Sequence, residues 1–89
     1  MTFALNPRLE ADTFFVADWP LCRVLLMNDA RYPWLILVPR QDGMTELMDL
    51  PAADRVLLTE EIARAGAILR GRPGITKVNV GALGNLVPQ

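Results

Sequence analysis

The closing stretch VNVGALGNLVPQ, residues 78–89, holds the residues of this sequence best suited to binding an anion. Gly81 and Gly84 can take positive φ and let a ligand approach the backbone closely. Successive amides in such a turn form a concavity that binds anions. Asn79 and Asn85 each add an uncharged donor and acceptor, which suits phosphate oxygens or ribose hydroxyls. The segment therefore predicts half of a phosphate-binding site, although glycine and asparagine also mark ordinary turns.

The residue inventory excludes most other catalytic chemistry. The chain has no histidine, which removes Ser-His-Asp and Cys-His arrangements and histidine–metal sites. Cys22 is the single cysteine and sits in an apolar run, which predicts a packed core thiol rather than a nucleophile. The glycine spacing fits neither phosphate-binding fingerprint, G-x-x-x-x-G-K-[ST] or G-x-G-x-x-G. Glu60 and Glu61 are adjacent on a predicted helix, about 100° apart, and make a poor acid/base pair. We predict no metal and no cofactor.

Length, charge and composition set the class of protein and its partners. A chain of 89 residues is enough for one small domain, residues 1–89. The formal charge of −1 argues against a nucleic-acid partner. The apolar fraction of 52% is high for so short a chain and predicts a surface for a partner, most simply a homodimer. The chain shows no secretory signal and no run long enough to span a membrane, so we predict a cytoplasmic protein.

Three apolar stretches are predicted to form strands that position this site. Residues 14–16 are suited to a short strand, and LCRVLLM (residues 21–27) to a longer one. The loop at residues 28–33 has turn chemistry, so the strands on either side of it should pair antiparallel. WLILV (residues 34–38) is continuously apolar, which predicts a strand covered on both faces and ended by Pro39.

A helix over residues 51–70 follows these strands. Its apolar stripe, at spacings of four, three and four, is predicted to face its own sheet and consists of Leu58, Ile62, Ala65 and Leu69. Gly71, Pro73 and Gly74 end the helix, and ITKVNVGAL (residues 75–83) is predicted to resume a strand. The order of elements predicts an α+β fold.

The succession PWLILVPR, an amphipathic helix and VNVGALGNLVPQ resembles the histidine triad (HIT) superfamily of nucleotide hydrolases and transferases over residues 21–89. The resemblance implies an antiparallel sheet packed against one main helix, and a homodimer. In that family the region ends in a strand with three alternating histidines, and some branches have glutamine in the first of these positions. Gln89, at the end of NLVPQ, resembles such a branch.

The resemblance also implies roles for individual residues. Asn79 matches an asparagine that holds the phosphate or ribose, and Asn85 stands where many relatives have glutamine near the phosphate. Asn28 resembles the ribose-binding position, and Arg40 the basic residue after the strand-ending proline. Gln41 stands where many relatives have histidine. Each has a structural alternative: Asn28 as a turn former, Asn79 as an edge-strand side chain and Arg40 as a solvated strand end.

The family's reaction depends on its middle histidine, which attacks the α-phosphorus and forms a nucleotidyl-histidine intermediate. Nothing in these 89 residues can replace it, because the amide nitrogen of Gln89 has a delocalised lone pair and cannot attack. We expect the chain to be C-terminally incomplete, lacking the catalytic strand, and inert on its own. Three hypotheses remain: a HIT-like enzyme of nucleoside phosphates or dinucleoside polyphosphates, a non-catalytic dimerising nucleotide-binding or interaction module, and a plain α+β domain.

Overall fold

The computed structural model describes residues 3–29, 33–41, 43, 45–75 and 77–82 of this chain. They include a three-stranded antiparallel sheet of strands β1 (Thr13–Asp18), β2 (Cys22–Met27) and β3 (Leu35–Pro39), in that spatial order. The predicted antiparallel α+β arrangement is therefore confirmed. The three strands predicted before the main helix are present, with ends that differ from the predicted ones by at most two residues.

A short helix, α1 (Pro7–Asp12), precedes the sheet and was not predicted from the sequence. Its start is nevertheless encoded locally: the Asn6 side chain accepts a hydrogen bond from the Arg8 amide at 2.9 Å, as an N-cap does. Pro7 occupies the first turn, where the missing N–H costs nothing. Helix α1 buries Leu9 against the sheet.

The core has two parts, one on each face of the sheet. On the α1 face, Leu9, Leu25, Ile36 and Val38 form one buried cluster. On the other face the buried cluster consists of Trp19, Val24 and Ala65, with Leu35 and Leu37 packed against it. Alternate residues of β3 thus serve different clusters, because successive side chains of a strand point to opposite faces. The prediction that both faces of this strand are covered is confirmed.

The main helix, α2 (Ala52–Arg70), matches the predicted helix to within one residue. Within the described chain, no helix is both long and apolar enough to cross a membrane. Ala65 is buried as predicted, but Leu58, Ile62 and Leu69 are only half-buried, and Glu61 is the other buried residue of α2. The side of α2 that is buried is therefore rotated from the predicted stripe towards Glu61. The carboxylate of Glu61 accepts backbone hydrogen bonds.

The chain after α2 does not form the predicted strand. Gly74 takes φ of 82°, a left-handed conformation that glycine adopts at low cost, and the chain then continues through residues 75 and 77–82 without strand structure in the described part. A Cβ added to Gly66 of α2 would meet Cγ1 of Val78 at 3.9 Å. The segment thus lies against α2 rather than in the sheet, and the described chain offers it no ladder partner. The prediction of a strand over residues 75–83 is therefore wrong. An alternating sequence forms a strand only where the backbone of a neighbouring strand pairs with it.

Candidate functional site

The exposed residue Asn28 directly follows β2, at the end of the strand near α1. Its backbone amide donates to the Asp12 carbonyl at 3.0 Å, which ties the end of β2 to the end of α1. This bond uses the main chain and continues the antiparallel pairing of β1 with β2 by one residue. The exposed amide side chain has the donor and acceptor that the sequence analysis assigns to ribose binding, and that role stays a prediction.

Asn79 and Gly81 lie on the segment 77–82, and both are exposed. Among the described residues, no atom outside its immediate chain neighbours lies within 4 Å of a Cβ built on Gly81. Gly81 does not have positive φ: among the described glycines only Gly43 and Gly74 do. Gly81 therefore does not use the positive φ that glycine permits, and its role as a phosphate contact stays a prediction. Among the described residues, no hydrogen bond connects the segment 77–82 with Asn28.

Three predicted site residues, Gly84, Asn85 and Gln89, lie outside the described residues. Their proposed roles stay predictions. A shallow groove lies between α2 and the segment 77–82, beside the two residues that precede Asn79 in the sequence. Its lining residues are Ala63, Gly66, Ala67, Arg70, Lys77 and Val78. Arg70 and Lys77 give this groove a positive charge next to the predicted phosphate contacts.

Arg40 is a structural clamp rather than a solvated strand end. Its Nη2 donates to the carbonyl oxygens of Trp19 and Pro20, the latter at 3.2 Å. Its Nε lies 3.9 Å from Oδ1 of Asp18 and, in the described part of the chain, is buried without a hydrogen bond. The guanidinium therefore holds the end of β3 against the β1–β2 turn, residues 19–21.

Gln41, at the position where the resemblance places a histidine, is also engaged in the structure. Its Nε2 donates to Oδ2 of Asp54 in the first turn of α2 at 2.6 Å. This bond joins the chain after β3 to the start of the helix. The observed role of Gln41 is to connect these two elements.

The feature that sequence reasoning missed is the carboxylate of Glu61. It is only 4% exposed, and its two oxygens accept hydrogen bonds from the backbone amides of Leu21 and Cys22, both at 2.8 Å. A buried carboxylate needs such partners, since an unpaired one would be strongly destabilising. The one local hint was spacing: Glu61 lies three residues after Leu58 and four before Ala65, at the edge of the apolar stripe.

Cys22 is fully buried, which confirms the predicted core thiol. Burial, followed by the hydrogen bond with Glu61, raises the pKa of this thiol far above its ordinary value. A thiol with so high a pKa supplies no thiolate near neutral pH, and a buried one cannot reach a substrate. Cys22 therefore offers no nucleophile.

Charged side chains surround the β1–β2 turn. Arg23 binds Asp18 through two hydrogen bonds, at 2.8 and 3.1 Å, and this contact is the main cause that lowers the pKa of Asp18. The guanidinium of Arg64, from α2, stacks over the ring of Trp19 at 4.3 Å from its centroid. These contacts link β1, β2 and α2 at one end of the sheet.

The described residues around the predicted phosphate contacts carry amides and cations, and the sequence contains no histidine. No cluster of three potential metal-ligating side chains occurs among them. The accessible groups are neutral amides at Asn28 and Asn79, the open backbone at Gly81 and the cations Arg70 and Lys77. Such groups orient and neutralise a phosphate, which is binding chemistry.

A family model described as the HIT domain matches residues 8–89. The chain is similar to a solved histidine triad protein from Bradyrhizobium japonicum, with 43% identity and a TM-score of 0.96 over 100% of this chain. Histidine triad proteins from Sinorhizobium meliloti 1021 and Marinobacter aquaeolei VT8 match 99% and 100% of the chain, each at 44% identity, with TM-scores of 0.95 and 0.94. The chain spans 65–66% of the length of these three proteins. No curated protein matches it significantly.

Proposed function

We propose a function for this chain from the premise that it belongs to the histidine triad family. In this proposal, the chain is part of a nucleotide hydrolase or nucleotidyl transferase lineage and contributes a nucleoside-phosphate site. The observation that carries this proposal is the family match over residues 8–89, together with 43–44% identity to solved histidine triad proteins. Because the chain spans about two thirds of those proteins, the activity and substrate of the whole protein belong to the proposal.

The proposed ligand is a nucleoside phosphate or a dinucleoside polyphosphate. Asn79 and the open backbone at Gly81 would contact phosphate, and Lys77 and Arg70 would supply positive charge beside them. Asn28 is assigned to the ribose. Gly84, Asn85 and Gln89 complete the site as the resemblance implies.

Chemistry in this family passes through a nucleotidyl-histidine intermediate. Neutral imidazole attacks the α-phosphorus without first losing a proton, and its moderate pKa makes it a workable leaving group. The 89-residue sequence contains no histidine. We therefore expect the 89-residue chain to bind nucleotide without turnover, and incubation with a labelled dinucleoside polyphosphate should leave no phosphoramidate on it.

Binding can be tested by titrating AMP into the ¹⁵N-labelled chain and following its amide signals. We expect the signals of Asn79 and Gly81 to shift, with adenosine as a control that lacks the phosphate. Asn79→Ala should weaken binding because it removes a donor and an acceptor, whereas Asn6→Ala, at the cap of α1, should not. An absence of shifts at millimolar AMP would remove the binding claim for this chain.

The alternative function is a non-catalytic module that dimerises and binds nucleotide weakly or not at all. It is favoured by exposed apolar side chains on β1, η1 (Leu47–Asp49) and α2, among them Phe14, Met48 and Val56. A homodimer is part of either proposal, as is a cytoplasmic location. Light scattering on the purified chain distinguishes a dimer from a monomer, and the AMP titration distinguishes a chain that binds nucleotide from an interaction module that does not.

A further inference from the structure

The carboxylate of Glu61 connects α2 to the sheet at the start of β2. Its two oxygens bind two consecutive amides, those of Leu21 and Cys22, at the point where the β1–β2 turn enters β2. A bidentate contact of this kind sets direction as well as distance, because both oxygens must face both N–H groups. Few other positions of the helix on the sheet would satisfy it.

The other contacts of α2 with the sheet gather around the same turn. Ala65, one turn after Glu61, packs against Trp19 and Val24, and Arg64 stacks on Trp19. The apolar residues at the remaining stripe positions of α2 are only half-buried. The carboxylate, rather than a deeply buried apolar stripe, therefore determines the rotation of α2 about its axis.

The opposite face of α2 carries the segment 77–82. At about 100° per residue, the helix residues that line the groove beside this segment centre roughly opposite Glu61. They are Ala63, Gly66, Ala67 and Arg70. A Cβ built on Gly66 would lie 3.9 Å from Cγ1 of Val78, an ordinary van der Waals separation, so Val78 lies beside this position of the helix. The segment is thus positioned by α2, and α2 by Glu61.

We propose that Glu61 is a positioning residue for the nucleotide site: it orients α2 and thereby places Asn79 and Gly81 for contact with the phosphate. This inference rests on the proposed function for its ligand. The positioning itself has a readout that needs no ligand, which is the amide spectrum of the segment 77–82.

The test compares Glu61→Gln with Glu60→Gln, a matched change at the exposed neighbouring residue. Glutamine has the same shape, but its NH₂ group would face one of the two backbone N–H groups and cannot accept from it. We expect Glu61→Gln to shift the amide signals of Asn79 and Gly81 in the free protein and to weaken AMP binding about fivefold or more. Glu60→Gln should leave both unchanged.

A third variant separates positioning from general loss of stability. Ile36→Val removes a methyl group from the α1 face of the sheet and should lower stability without moving the signals of residues 77–82. If Glu61→Gln does not fold, Glu61→Asp replaces it, since a shorter carboxylate keeps its charge but cannot reach both amides in the same way. Shifts in that variant support positioning.

The two proposals fail in different ways. Wild-type protein that shows no AMP shifts contradicts the proposed function, while the ligand-free spectra still decide the role of Glu61. Unchanged signals of residues 77–82 in a folded Glu61 variant would overturn the positioning role, whether or not AMP binds.

Discussion

Two neighbouring leucines on β2 give a direct test of the sheet and of its two faces. Leu25 is 2% exposed and packs with Leu9 and Ile36 on the α1 face, whereas Leu26, the next residue, is 37% exposed on the opposite face. The same substitution by alanine at each position removes the same atoms. The cost should differ because only one of the two sites is closed.

The expected magnitudes follow from burial. Leu25→Ala removes three buried carbons, worth about 0.8 kcal/mol each, and leaves a cavity, so it should cost about 3–4 kcal/mol. Because Leu26 is partly exposed to solvent, Leu26→Ala removes less buried apolar area and should lower the free energy of unfolding by about 1.5 kcal/mol. A chain of this length has a total stability of about 4–13 kcal/mol, so the cost of Leu25→Ala approaches the whole stability at the lower end of this range, and unfolding is best measured at low temperature.

Urea unfolding followed by far-UV circular dichroism measures both costs from the midpoint at an unchanged m-value. A larger cost for Leu26→Ala than for Leu25→Ala would contradict the assignment of faces, because a one-residue shift in register would exchange the buried and exposed leucines. A large cost for Leu26→Ala that grows with protein concentration would instead show that this face is covered in a homodimer.

Three further predictions concern polar and titratable groups. Arg40→Ala should cost about 1–2 kcal/mol in urea unfolding, because the carbonyls of Trp19 and Pro20 lose their donor, whereas Arg72→Ala at an exposed position should cost almost nothing. The Cys22 thiol should react with Ellman's reagent at pH 8 at least about 100-fold more slowly in native than in urea-unfolded protein, because it is buried with a raised pKa; equal rates would place the thiol at the surface. Hydrogen bonds from the Thr45 and Glu46 amides lower the pKa of Asp49, so its stabilising effect is present above the unfolded pKa of about 3.9 and is lost as pH falls through the lower folded pKa. Asp49→Asn should therefore flatten the acid side of the stability profile, and identical profiles for the variant and wild type would refute this assignment.

The sequence by itself determined the elements whose signals are local. Continuous apolar runs gave β2 and β3, and the helix between Pro51 and Gly71 was bounded by residues that start and stop helices. The antiparallel pairing followed from a short connection with turn chemistry. Even α1 has a local signal in Asn6, a capping residue, followed by Pro7.

Only the tertiary structure decided which polar groups are buried and what the last segment contacts. Glu61 and Glu60 are the same residue type on the same helix, yet one accepts two backbone amides some forty residues away in sequence and the other is exposed. Residues 77–80 alternate as a strand does, but they lie against α2 and have no described strand to pair with. Periodicity reports which side of an element is apolar, whereas the choice of partner for a carboxylate or a backbone amide depends on groups that only folding brings together.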